Sequence, residues 1–193
     1  MIKFFTKSAI IAAAMFTSVS GFAADSFKID TDGAHAYIDF KISHLGYSWI
    51  SGRFNTFEGD FSFSQDNPSD AQVSVTIDAT SLDSNHAERD KHIRSADFLE
   101  TDKFPSASFK STGFNYTGDG KGVLTGDLTL KGVTKSIEIE VSHIGQGDDP
   151  WGNYRSGFLG ETALTIADFG ITQPYLPADM QVFLELGVEG IRQ

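Results

Sequence analysis

The residues with acid–base or metal-ligating chemistry fall into three short clusters: His86, Glu88 and His92; Asp148 and Asp149 just before Trp151; and the triplet Asp168-Phe169-Gly170. Each would act only with partners at a set spacing. Two histidines that grip one zinc ion from a helix stand four residues apart, whereas His86 and His92 are six apart and project from different sides. The carboxylates of a glycosidase face each other across a sugar ring, which adjacent residues in a glycine-rich loop do not. The triplet matches the metal-binding motif of protein kinases, but the glycine-rich loop, strand lysine and His-Arg-Asp loop that a kinase needs are missing. There is no Gly-x-Ser-x-Gly elbow, and with no cysteine there is no thiol nucleophile, thiolate zinc site, disulfide or iron–sulfur cluster. The sequence thus reads His86 to His92 as solvated helix charges and Asp148-Asp149 as an acidic loop, with no metal and no cofactor expected. One catalytic alternative stays open, in which His44, Asp90 or His92 is a general acid or base toward an apolar substrate held in a cavity.

Charge and export signals narrow the partners. The 193 residues carry 15 Lys+Arg against 26 Asp+Glu, a net charge of −11 with no basic run, so phosphate backbones are repelled and nucleic acid is not an expected partner. Lys3 and Lys7 precede an uncharged stretch from Ser8 to Ser18, and the small residues Gly21 and Ala23 follow, the pattern of a secretory signal peptide. The apolar stretch is shorter than the roughly 20 residues of a membrane span and no second one follows, so stable membrane insertion is not expected. Cleavage after Ala23 would leave one domain, residues 24–193, in the periplasm, and loss of Lys3 and Lys7 would take its charge to −13.

The elements that must position these groups are strands. Apolar and polar residues alternate from Ala34 to His44, placing Ala36, Ile38, Phe40 and Ile42 on one face. The same period of two recurs at Phe57-Gly59-Phe61-Phe63, Ala71-Val73-Val75-Ile77, Leu124-Gly126-Leu128-Leu130, Ile137-Ile139-Val141 and Val182-Leu184-Leu186-Val188. Weaker patterns cover Phe27 to Asp30, Ala107 to Ser111, Phe114 to Thr117 and Arg155 to Ile166, and Gly145 to Gly152 reads as a surface loop. Short connections between many strands point to an antiparallel sandwich or closed barrel. Asn85 to Ser95 breaks the pattern and predicts a helix, with Asn85 as N-cap and Glu88 as its capping-box partner, followed by a second turn near Ala96 to Leu99. Glycines at inward strand positions, Gly52, Gly59 and Gly126, either bend strands at barrel corners or leave room for another molecule, so a filled and a hollow barrel both remain open.

The strings His44-Leu45-Gly46-Tyr47-Ser48-Trp49, Asn85 through Leu99, Gly126 through Lys135 and Gly145 through Gly152, in this order along the chain, resemble the YceI family of bacterial periplasmic proteins. The resemblance implies an all-β fold, an eight-stranded antiparallel lipocalin-like barrel with one or two short helices, whose apolar tunnel holds a polyisoprenoid or other long-chain lipid. Carriage or storage of a polyprenyl or isoprenoid-quinone lipid, without catalysis, is the implied function; a structural or stress-related barrel with incidental lipid is the other non-catalytic reading. A homodimer is compatible with the sequence. The residues expected to line the tunnel are Ile38, Phe40, Ile42 and His44; Phe54, Phe61 and Phe63; Val75 and Ile77; Phe109; Leu128 and Leu130; Ile139 and Val141; and Leu184 and Leu186. Arg89, His92, Ile93 and Phe98 would stand at its mouth. There Ile93 would pack inward and carry Arg89 and His92 toward an anionic or hydrogen-bonding head group, or else Asp90–Arg94 and Glu88–His92 would be exposed helical ion pairs.

Overall fold

The computed structural model describes residues 24–193; the signal segment and its cut after Ala23 lie outside the described residues. One antiparallel sheet holds every strand among the described residues. β1 (Asp25–Ile29) and β2 (Tyr37–His44) lie end to end as a broken stave, and β3 (Ser48–Phe54) with β4 (Phe57–Phe63) form a second. β5 (Gln72–Asp78) and β6 (Leu82–Asp83) make the third. β7 (Ser106–Gly118), β8 (Lys121–Leu130), β9 (Val133–Asp148), β10 (Tyr154–Thr165) and β11 (Gln181–Arg192) follow as an up-and-down meander. β11 then pairs with β2 from Val182↔Ile42 to Gly187↔Tyr37 and with β1 from Ile29↔Gly190 to Phe27↔Arg192, which closes eight staves into a barrel. Closure satisfies the edge backbone groups that an open sheet would leave unpaired.

Local chemistry explains the turns. Asp119-Gly120 and Lys131-Gly132 are two-residue connections in which both residues have positive φ, the primed turn that matches strand twist. In β9 one residue, Ile144, is extra against β10, so Phe158 pairs with His143 and Gly157 with Gly145. The strand continues through Asp148, so the first half of the segment read as a loop is strand, and the turn itself is confined to Asp149 to Asn153.

The helix is shorter than the sequence suggests. α1 spans Ala87–Arg94, and its N-cap is His86, whose Nδ1 accepts from the Arg89 amide at 3.2 Å. Asn85 instead takes a left-handed φ of 63° and leads the chain into the cap. Ala96 to Leu99 is a turn, held by the amides of Phe98 and Leu99 on the carbonyls of Ser95 and Ile93. Among the described residues no helix is long and apolar enough to cross a membrane.

The apolar interior divides along the barrel axis. Phe40, Leu82, Leu99, Ile166 and Ile171 form a cluster at the α1 end, joined by Ile42, Phe54, Ile93, Phe98 and Leu130. Phe109, Leu124, Leu128, Ile139, Leu164 and Phe169 fill the middle, and Phe27, Ile29, Phe61 and Phe63 the far end.

Candidate functional site

Between the two end clusters lies a cavity of about 160 Å³ whose wall takes side chains from all eight staves. Ile38, Phe61, Phe63, Val75, Ile77, Phe109, Leu128, Ile139, Val141, Leu184 and Leu186 line it as expected from the alternation. Ile29, Phe57, Val73, Phe114, Leu124, Ile137, Phe158 and Val188 also line it. Val73, Leu124, Ile137 and Val188 are in phase with their strands, so the period of two carried the signal; Phe114 and Phe158 lie on strands with weak alternation. Tyr37 and Thr162 reach the lumen too, but their hydroxyls are engaged elsewhere. Tyr37 donates to Glu185 Oε1 at 2.9 Å, which raises its pKa, and Thr162 donates to the Glu138 carbonyl at 2.7 Å.

The remaining candidates do something else. Phe40, Ile42, Phe54, Ile93, Phe98 and Leu130 pack in the cluster that closes the α1 end, so the expected open tunnel is a chamber plugged there. His44 is exposed, and its carbonyl accepts from the Tyr47 amide in a turn. Arg89 does not face the lumen: its Nε donates to Ser84 Oγ at 2.7 Å and its Nη2 to the Ser84 carbonyl. The same serine donates its amide (2.9 Å) and its hydroxyl to Asp90 Oδ1. Burial pushes the Asp90 carboxyl up, but these bonds outweigh it and hold the group below its ordinary range. Arg94 donates to the Leu82 carbonyl at 2.7 Å, and exposed His92 faces Asp97 at 3.3 Å. The helix charges therefore fasten α1 to β6, and neither an anion receptor nor the expected Glu88–His92 and Asp90–Arg94 surface pairs is formed.

Two of the three inward glycines, Gly52 and Gly126, are answered by the chain's own rings, whereas a Cβ on Gly59 would meet the Ser74 carbonyl at 2.4 Å and Val75. A Cβ on Gly52 would lie 2.5 Å from Phe40 Cζ, and one on Gly126 would lie 2.3 Å from Phe109 Cζ. These glycines give aromatic rings a flat bed on the neighbouring strand.

Two polar features beside the lumen were not legible beforehand. The His143 ring packs 4.9 Å from Phe63 and 4.8 Å from Phe158, both lumen residues, with Nε2 3.4 Å from the hydroxyl of fully buried Ser156. Burial lowers the His143 pKa, so the ring is neutral at pH 7. On the outer side of the same end, Arg155 donates to Asp149 (2.6 Å), Asp30 (2.7 Å) and Glu189 (2.6 Å). Hydrogen bonds from Arg155 and then His35 hold Asp30 down to about 2. Asp149, read as part of an acidic loop, is a turn organiser: it accepts the amides of Trp151 and Asn153 and the side chains of Asn153 and Arg155. Asp30, His35 and Glu189 bring their ligand atoms within 4.8 Å of one another, and the guanidinium already supplies their positive partner.

The wall also has a seam. β5 and β7 pair only from Ser74↔Lys110 to Asp78↔Ser106, while β7 runs on to Gly118. Beyond that register the Val73 amide donates to Ser111 Oγ at 2.9 Å, and Ala71, Gln72, Val73 and Phe114 bound the cavity on either side.

A closed eight-stranded meander around an apolar chamber is the architecture of barrels that hold one small or extended apolar ligand. Residues 27–189 match the model of the YceI-like domain, and the chain belongs to that family. It is 52% identical over 193 residues to a UPF0312 protein of Pseudomonas aeruginosa, covering all of both chains. A UPF0312 protein of Vibrio parahaemolyticus is 55% identical over 183 residues, 95% of each chain. Among solved structures, BcnA of Burkholderia cenocepacia superposes with a TM-score of 0.74 at 20% identity, over 83% of this chain and 98% of that one. A polyisoprenoid binding domain from Saccharophagus degradans shares the fold with a TM-score of 0.62 at 14% identity, over 89% of this chain and all of the other.

Proposed function

We propose that this protein binds an isoprenoid lipid in its lumen and carries or stores it in the periplasm, without catalysis. The observation that carries the reading is the wall itself: apolar side chains from every stave, with the hydroxyls of Tyr37 and Thr162 bonded away from the cavity. A chamber of about 160 Å³ takes a benzene-sized group as it stands. A polyisoprenoid therefore enters only as rings such as Phe61, Phe63, Phe109, Phe114 and Phe158 swing aside. Each isoprene unit buried gains about 4 kcal/mol gross at roughly 0.8 kcal/mol per carbon, which exceeds the cost of a few rotamer changes at about 1 kcal/mol each. A neutral hydrogen-bonding head group suits His143 and Ser156 better than a phosphate, because the neighbouring guanidinium of Arg155 is already held by three carboxylates. Support also comes from the isoprenoid-binding neighbour of the same fold. The test is a titration with prenyl quinones and prenyl phosphates of increasing tail length. Affinity should rise with each isoprene unit until the lumen is full, and the quinone should bind more tightly than the phosphate of equal tail. Affinity independent of tail length would refute lumen binding.

A further inference from the structure

The segment His44 to Trp49 takes no part in the lumen. It is the tip of the hairpin between β2 and β3, and it stands past the last paired residues of both neighbours: β11 pairs with β2 only as far as Ile42, and β6 meets β3 only at Arg53 and Phe54. Leu45 is 53%, Tyr47 87% and Trp49 58% exposed. Leu45 carries a second cost, since its φ of 53° lies in the left-handed region that Asn or Gly adopts easily and a bulky side chain does not. A hairpin that only had to turn would place one of those residues there. Strain and an exposed leucine at one position mark a residue whose value lies in what it touches.

Residue chemistry and charge name the surface it fits. Tyrosine and tryptophan join an apolar body to a polar edge, the combination favoured at the head-group level of a bilayer. Trp49 meets the edge of Phe183 at 5.8 Å, and Lys41 Nζ lies 5.2 Å from the Trp49 ring and 5.9 Å from that of Phe183. From Phe40 to Phe57 the chain carries Lys41, His44 and Arg53 and no carboxylate, although it holds 26 Asp+Glu in all; Arg53 is paired with Asp39 at 3.4 Å, which leaves Lys41 as the cation beside Trp49. At the opposite end Trp151 and Ile144 are also exposed, but the exposed carboxylates Asp119 and Asp148 share that rim and repel phosphate. We infer that the β2–β3 hairpin is a docking surface for a phospholipid membrane, with Leu45, Tyr47 and Trp49 entering the head-group layer and Lys41 beside the phosphates. The inference rests on the carrier reading, because an insoluble cargo has to be collected from a membrane.

The chain's two tryptophans lie at opposite ends of the barrel, which makes the test direct. In a Trp151→Phe variant, Trp49 emission should move to shorter wavelength on addition of vesicles of phosphatidylethanolamine and phosphatidylglycerol. In a Trp49→Phe variant, Trp151 emission should not move. Tyr47→Ser should lower vesicle partitioning, measured by flotation, by about tenfold. Leu45→Asn should also partition less yet melt at a higher temperature, since it relieves the left-handed leucine. Prenyl-quinone binding without vesicles should be unchanged in every variant. No shift at Trp49, a shift at Trp151 instead, or undiminished partitioning of Leu45→Asn would overturn the inference. Docking by a protein that binds no isoprenoid would refute the carrier reading while leaving the docking surface established.

Discussion

Placing a carboxyl on the lumen wall tests the geometry most stringently. Ile139 is 5% exposed, packs in the central cluster and lines the cavity beside Gly160, and the hydroxyl of Thr162, another lining residue, is already bonded to the Glu138 carbonyl. Ile139→Asp removes buried apolar surface at a cost of about 3 kcal/mol, toward the low end because the adjoining void lets the site relax. The introduced carboxyl finds no donor and stays protonated inside the lumen, so its folded pKa rises above pH 7 from an unfolded value near 4. Three pH units at about 1.4 kcal/mol each add roughly 4 kcal/mol of destabilisation at pH 7. The sign follows: a raised carboxyl pKa leaves the variant most stable at about pH 4 and weakens it as pH rises. A total near 7 kcal/mol is comparable with the whole stability of a small domain. Urea unfolding followed by circular dichroism at pH 4 and pH 7 checks it, with Ile139→Asn as the pH-independent control. An Ile139→Asp protein with wild-type midpoints at both pH values would mean that this strand face looks outward, which would refute the register.

Other perturbations act away from the lumen. Arg155→Ala leaves Asp30, Asp149 and Glu189 together without their guanidinium and should cost about 3 kcal/mol at pH 7, less near pH 4, in urea unfolding. In the unaltered protein, the stability that Asp30 contributes should be complete above its unfolded value of 3.8 and disappear as pH falls through about 2, a limb that should be smaller in acid titration of Arg155→Ala, where only His35 and the Gly33 amide still hold the carboxylate. Gly126→Val drives a Cβ into the Phe109 ring at 2.3 Å and should lower stability by about 2 kcal/mol, with Phe109→Ala in the same chain removing the clash but opening a cavity; thermal melts of the two variants and the unaltered protein decide it.

The alternation of apolar residues made most of the barrel legible, because a period of two assigns each side chain to the inner or outer face. It does not say how far along the axis a residue sits. Phe40 and Phe54 are inward as expected, but they fall in the cluster beneath α1, and where that helix lands depends on Ser84 and Asp90, which no local pattern announces. The same network pulls Arg89 sideways, so a helix-face argument could not place it. Asn85 and His86 are both polar at the helix start; the positive φ of Asn85, a tertiary outcome of the β6 exit, moved the cap by one residue. Arg155 meets Asp30 across 125 residues of chain only because the barrel closes. His143 stands beside the lumen because β9 alternates inward up to the bulge at Ile144, beyond the run of Ile137 to Val141 that the sequence made plain.

Native mass spectrometry of the full-length product, expressed in a bacterium that makes isoprenoid quinones and released from its periplasm without detergent, tests lumen carriage most directly. The account predicts a protein mass for residues 24–193 accompanied by one non-covalent adduct with the mass of an isoprenoid, lost from Ile139→Asp under conditions where that variant is folded. Protein that carries no isoprenoid, or an adduct that Ile139→Asp retains in full, would contradict it.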